Sequence, residues 1–149
     1  GYEAAREAID ERRSMLAHAA AGSVNLELSI AHLARVERTI RELDPEDVRL
    51  LCRLHMLRPD TAAAATSVPE TDHQAAWRAG EAVERVYAET QPSGDILVAA
   101  GCLFLPSGVV FNSGPFAHVT LLGQWVLAVL DGYLRLQQPD EPTPQKGAE

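Results

Sequence analysis

Apolar residues recur every three or four positions along much of this chain, and glycines, prolines and short polar runs divide the recurrence into helical stretches. The clearest stretch is Leu26 to Leu43. There Leu26, Ile30, Leu33, Val36, Ile40 and Leu43 share one side, and Arg35, Glu37, Arg38, Arg41 and Glu42 occupy the other, which predicts an amphipathic helix. Before it, Tyr2 to Ala21 lacks Gly and Pro and is rich in Ala, Glu and Arg, so it predicts a helix whose apolar face is a thin set of Ile9, Met15 and Leu16. Gly22-Ser23 ends that run. In Asp44-Pro45-Glu46-Asp47 an aspartate can cap, a proline sits where a missing N–H is harmless, and two acids face the positive end of a helix dipole. A third helix is expected from there to about Leu57. Val48, Leu51, Leu54 and His55 are its core candidates, and Arg49 and Arg53 lie four apart on a flank. After Pro59 a connector is expected to about Thr71, followed by a fourth helix from Asp72 to Thr90 built on Ala76, Gly80, Val83 and Tyr87, with Gly80 placed for close packing against another helix.

The pattern changes after Gln91-Pro92-Ser93-Gly94. Ile96-Leu97-Val98 and Cys102-Leu103-Phe104-Leu105 are continuous apolar runs, and Pro106-Ser107-Gly108 separates the second of them from Val109-Val110-Phe111, which is a hairpin signal. Phe116 to Val119 can add a further strand, so a β ribbon is expected near residues 96–119. Thr120 is placed to cap a last helix with a broad apolar face of Leu122, Trp125, Val126, Val129, Tyr133 and Leu136. The fold class expected is mainly α: a helical bundle with a small β hairpin, as one domain over residues 1–138. Residues 139–149 hold Pro139, Pro142 and Pro144 and no core residue, and they read as a disordered tail or linker.

Composition narrows the function classes. With 149 residues, 46% hydrophobic, the chain can bury a core without disulfides or metal. Its 13 basic against 21 acidic residues give a net charge of −8, which disfavours non-specific attraction to nucleic acid or anionic membranes. No apolar run approaches the roughly 18 residues of a membrane span, and no signal-peptide pattern opens the chain, so a cytoplasmic protein, or a piece of a longer one, is expected. Twelve arginines with a single lysine, and many alanines, suggest a GC-rich bacterial origin.

Candidate chemistry is sparse. Cys52 and Cys102, fifty residues apart in apolar surroundings, read as reduced core thiols. Cys52 and His55 have C-x-x-H spacing, but a zinc site would need two more ligands from His18, His32, His73 or Cys102, and no second ligand pair is present, so neither metal nor cofactor is expected. Ser107, Ser113, His118 and Asp131 cluster around the ribbon without a nucleophile elbow, which makes a hydrolytic or metal-dependent enzyme the weakest reading. Two surfaces remain. Six arginines between Arg35 and Arg58 meet five acids, making that segment +1 while the rest of the chain carries −9, and Arg38, Arg41, Arg49 and Arg53 are the nucleic-acid candidates. The ribbon residues Val109, Val110, Phe111 and Phe116 are the candidates for pairing with a partner's strand or across a two-fold axis.

The order of helices, ribbon and capped helix is compatible with a winged helix. Val119-Thr120-Leu121-Leu122-Gly123-Gln124-Trp125 is similar to the junction that follows the wing in many bacterial proteins of that type. Leu43-Asp44-Pro45-Glu46-Asp47-Val48-Arg49-Leu50-Leu51 and Ala99-Ala100-Gly101-Cys102-Leu103 resemble segments of the Abi-alpha family, which is linked to phage resistance. Over residues 43–130 this resemblance implies a winged-helix-like C-terminal half and a defence-associated role. The segment from Thr71 to Leu105 departs from a DNA reader, since Arg78 and Arg85 stand there among five acids. A non-enzymatic interaction or regulatory domain, working through protein contacts or as a homodimer, is therefore the leading expectation. A winged-helix DNA-binding regulator is the alternative.

Overall fold

The computed structural model describes residues 1–59, 72–106 and 116–137. Among them are seven helices and one two-stranded antiparallel sheet: α1 (Tyr2–Ser23), α2 (Ile30–Glu42), α3 (Pro45–His55), α4 (Asp72–Glu89), α5 (Ser93–Ala99), β1 (Leu103–Phe104), β2 (His118–Val119), α6 (Leu121–Val129) and α7 (Asp131–Gln137). No described helix is long and apolar enough to cross a membrane. The expected connector and the tail from residue 139 lie outside the described residues.

Local chemistry accounts for three of the seven helix starts. Ser29 Oγ accepts from the His32 N–H at 3.2 Å and opens α2, so Leu26 falls before the helix and Ile30, on its first turn, is exposed. Asp44 and Asp47 form a capping box at α3, with the Asp44 N–H donating to Asp47 Oδ2 at 2.9 Å. This bond explains how Asp47 is buried without an orphaned charge. Thr120 Oγ1 accepts from the Gly123 N–H at 3.1 Å and opens α6.

The core gathers Met15 from α1, Val36 and Ile40 from α2, Leu43, Val48, Leu51 and Leu54 in and around α3, Leu97 from α5, and Val126, Val129, Leu130 and Tyr133 from the C-terminal helices. Helix α3 packs against α1, α5, α6 and β2, α2 packs on α6, and α1 lies along α7. Only Met15 and Ala19 of α1 are buried, in keeping with its thin apolar face, and its first ten residues are all exposed.

Two expectations are corrected. Ile96-Leu97-Val98 is helical, not extended: Leu97 and Gly94 are buried, and the chain leaves α5 through a Schellman turn. In that turn the Cys102 N–H donates to the Leu97 carbonyl at 2.9 Å, the Gly101 N–H donates to the Val98 carbonyl at 3.0 Å, and Gly101 takes φ +81°, a conformation suited to glycine. Within the expected further strand Phe116 to Val119, His118-Val119 pairs with Leu103-Phe104, Leu103 facing Val119 and Phe104 facing His118, while the expected hairpin strand Val109-Val110-Phe111 lies outside the described residues. The last helix is two segments meeting at Leu130, where Trp125 is half-buried and Leu136 is 68% exposed.

Candidate interaction surface

Helix α5 places one side in the core and the other at the surface. Gly94 and Leu97 point inward, while Asp95, Ile96 and Val98 are exposed, the last two at 37% and 36%. Two tethers hold it. The Tyr87 hydroxyl of α4 donates to Asp95 Oδ1, which raises the Tyr87 pKa, and Gln91 Oε1 accepts from the Asp95 N–H at 3.2 Å. At the other end Thr120 Oγ1 donates to the Gly101 carbonyl at 2.6 Å, and the Thr120 N–H donates to the Cys102 carbonyl at 2.9 Å. The next residue, Leu121, is 58% exposed, so apolar side chains stand in solvent at both sides of this junction. Sequence reasoning missed α5 as a surface because it read the same residues as part of a β ribbon.

Val109, Val110 and Phe111 lie outside the described residues. Phe116 is half-buried against α4: a Cβ on Gly80 would come within 2.7 Å of Phe116 Cβ, and the His73 ring lies 5.5 Å from the Phe116 ring, edge to face. Gly80 thus makes room for this side chain rather than for another helix.

The arginine candidates are divided between surfaces. Arg49 pairs with Glu11 of α1, and the Tyr133 hydroxyl donates to the same carboxylate oxygen at 3.0 Å. The Arg49 guanidinium holds Glu11 below the usual carboxylate range, against a smaller opposing effect of burial. Arg12 bonds Asp44 at 2.8 Å and donates to the Arg41 carbonyl. Arg49 and Arg53 line a shallow cleft of about 580 Å³ together with Asp44, Glu46 and Asp47, whereas Arg41 borders a different one between α1 and α2 beside Glu37. Arg38 is exposed on α2. Arg41, Arg49 and Arg53 therefore share their surroundings with carboxylates.

The remaining candidates are placed apart. Burial raises the pKa of half-buried Cys52 and pushes that of Cys102 up to about 12, so both thiols are poor nucleophiles. His18 stands 5.9 Å from the Tyr133 ring and His32 lies 4.9 Å from the Trp125 ring. The His118 Nδ1 pairs with the Phe116 carbonyl at 2.7 Å, and Asp131 pairs with Arg135 at 2.9 Å. Ser107 and Ser113 lie outside the described residues. Among the described residues no group of three or more His, Cys, Asp or Glu is arranged to hold a metal ion. No family model, curated protein or solved structure matches the chain.

Proposed function

We propose that this protein is a non-enzymatic regulatory domain that works through protein contacts, self-associating as a homodimer, in the bacterial defence setting that its resemblance to Abi-alpha proteins implies. The outward face of α5 carries this reading. The order α3, α4, α5, β1, β2, α6 supports a winged-helix-like arrangement in which α5 takes the place of the helix that enters the major groove. A helix used on DNA needs cations and base-edge donors. Helix α5 presents Asp95, Ile96 and Val98 instead and has no basic residue. Exposed aliphatic side chains on a helix face that carries no cation favour burial against another protein surface.

Light scattering, with and without mixed-sequence duplex DNA at low and moderate salt, tests this. The expected result is a dimer whose mass ignores DNA and which becomes monomeric in the Ile96→Lys, Val98→Lys double variant. A monomer at every concentration removes self-association. A salt-sensitive shift on DNA, lost in the Arg49→Gln, Arg53→Gln variant, replaces this reading with a winged-helix DNA-binding regulator.

A further inference from the structure

A cleft of about 520 Å³ opens between the C-terminal end of α3, one side of α4 and β2, with no residue of α5 in its lining. Its inner wall is buried and apolar, formed by Leu54, Ala79, Val83, Ala117 and Val119. Around it stand four polar side chains, His55, Arg58, His118 and Gln124. No carboxylate is among the described residues that line it, although the chain carries 21 Asp and Glu against 13 Lys and Arg. A space of this size, apolar inside with a few polar groups, has the build of a small-molecule site.

We infer that this cleft binds a small organic acid: one carboxylate held by Arg58, on an apolar body of ring size seated against Leu54, Val83 and Val119. Arg58 is exposed and donates from Nη1 to the His55 carbonyl at 3.1 Å, which fixes the side chain at the cleft and leaves the rest of its planar fork of donors for a ligand. Burial, and then the neighbouring Arg58 charge, lower the pKa of His55, which favours its neutral imidazole. Among the described lining residues Arg58 is the single arginine or lysine, and its planar fork matches one carboxylate. Gln124 Nε2 lies 3.4 Å from the Val119 carbonyl, a weak bond that leaves the amide available as a polar contact. The inference is independent of self-association, because a different face carries it.

The test is titration of the full chain with naphthoate and its neutral isostere naphthamide, followed by calorimetry and by amide shifts in NMR spectra. For a ligand of this size the expected dissociation constant for naphthoate is about 1 mM or tighter, with shifts at Ala79, Ala117 and Gln124. Naphthamide should bind about tenfold more weakly, the loss of one charge-assisted contact. Arg58→Gln, an exposed substitution that leaves the fold intact by thermal unfolding, should weaken naphthoate to the level of naphthamide and leave naphthamide unchanged. Equal binding of acid and amide, an unchanged naphthoate affinity in Arg58→Gln, shifts that map elsewhere, or no binding of naphthoate, benzoate or octanoate would each overturn the assignment.

Discussion

Replacing Gly123 by alanine sets helix propensity directly against packing. On propensity alone, alanine inside a helix should stabilise by up to about 1 kcal/mol over glycine. The structure reverses the sign. A Cβ at this position would sit 2.6 Å from the Cys102 carbonyl oxygen and 2.7 Å from Val119 Cγ1. The carbonyl is backbone and cannot rotate away, and it already accepts the Thr120 N–H at 2.9 Å, so relief of the clash would move α6 off β1 and weaken that bond. Overpacking of this kind costs about 1–3 kcal/mol and the weakened hydrogen bond about 1 more, which leaves a net loss of about 2 kcal/mol after the propensity gain. At this chain length the loss lowers Tm by about 4–8 °C. Gly132→Ala is the internal control: on α7 the same added methyl meets nothing nearer than His18 Cδ2 at 3.8 Å, ordinary contact, so it should stabilise by about 0.5–1 kcal/mol. Urea and thermal unfolding of both variants decide the matter. If Gly123→Ala equals or exceeds wild type in stability, the close approach of α6 to the α5–β1 turn is wrong.

Three further outcomes follow from the contacts of α1, α6 and α7. Glu11, held low by Arg49, contributes stability that is complete above its unfolded pKa and is lost as pH falls through its lower folded value, so Glu11→Gln should flatten the acid limb of urea stability below about pH 5. Tyr133 behaves oppositely: burial first, and then the Glu11 hydrogen bond, push its phenol up to about 12, so its contribution is intact below about pH 10 and fades toward pH 12, and Tyr133→Phe should remove that alkaline slope. Unchanged pH profiles in both variants would show that α1 is not joined to α3 and α7 through this network. Trp125→Ala should destabilise by about 2 kcal/mol, below the roughly 3–5 of a fully buried tryptophan, because the half-buried ring has one side against His32. A loss above about 4 kcal/mol in chemical denaturation would place the ring inside the core instead.

Much of this architecture is set by interactions between near neighbours in the chain, and those are legible in the residues alone. The three- and four-residue spacing of Val36 and Ile40, or of Val48, Leu51 and Leu54, reports a helix face because the period of an α-helix is fixed by its backbone. Ser29, Asp44 and Thr120 announce helix starts because a capping bond spans three residues. The reduced thiols are legible for the same reason, since their surroundings in sequence are already apolar.

What the tertiary structure decided is every feature that depends on distant segments. Ile96-Leu97-Val98 suits a strand or a buried helical turn equally, and packing of Gly94 and Leu97, together with the turn at Gly101, selects the helix. A further strand was legible at Phe116 to Val119, but its pairing with Leu103-Phe104 joins segments fourteen or more residues apart and is set by packing. Arginines that share a stretch of sequence part company: Glu11 of α1 takes Arg49, which lines one cleft with Arg53, while Arg41 borders another between α1 and α2. The cleft, with no carboxylate among its described lining residues, joins residues from Leu54 to Arg58 with residues from Phe116 to Val119, and no spacing rule connects them. Local hydrogen bonds and periodicity are encoded within a few residues, whereas the surfaces that could recognise a partner or a ligand arise only when separated elements exclude water between them.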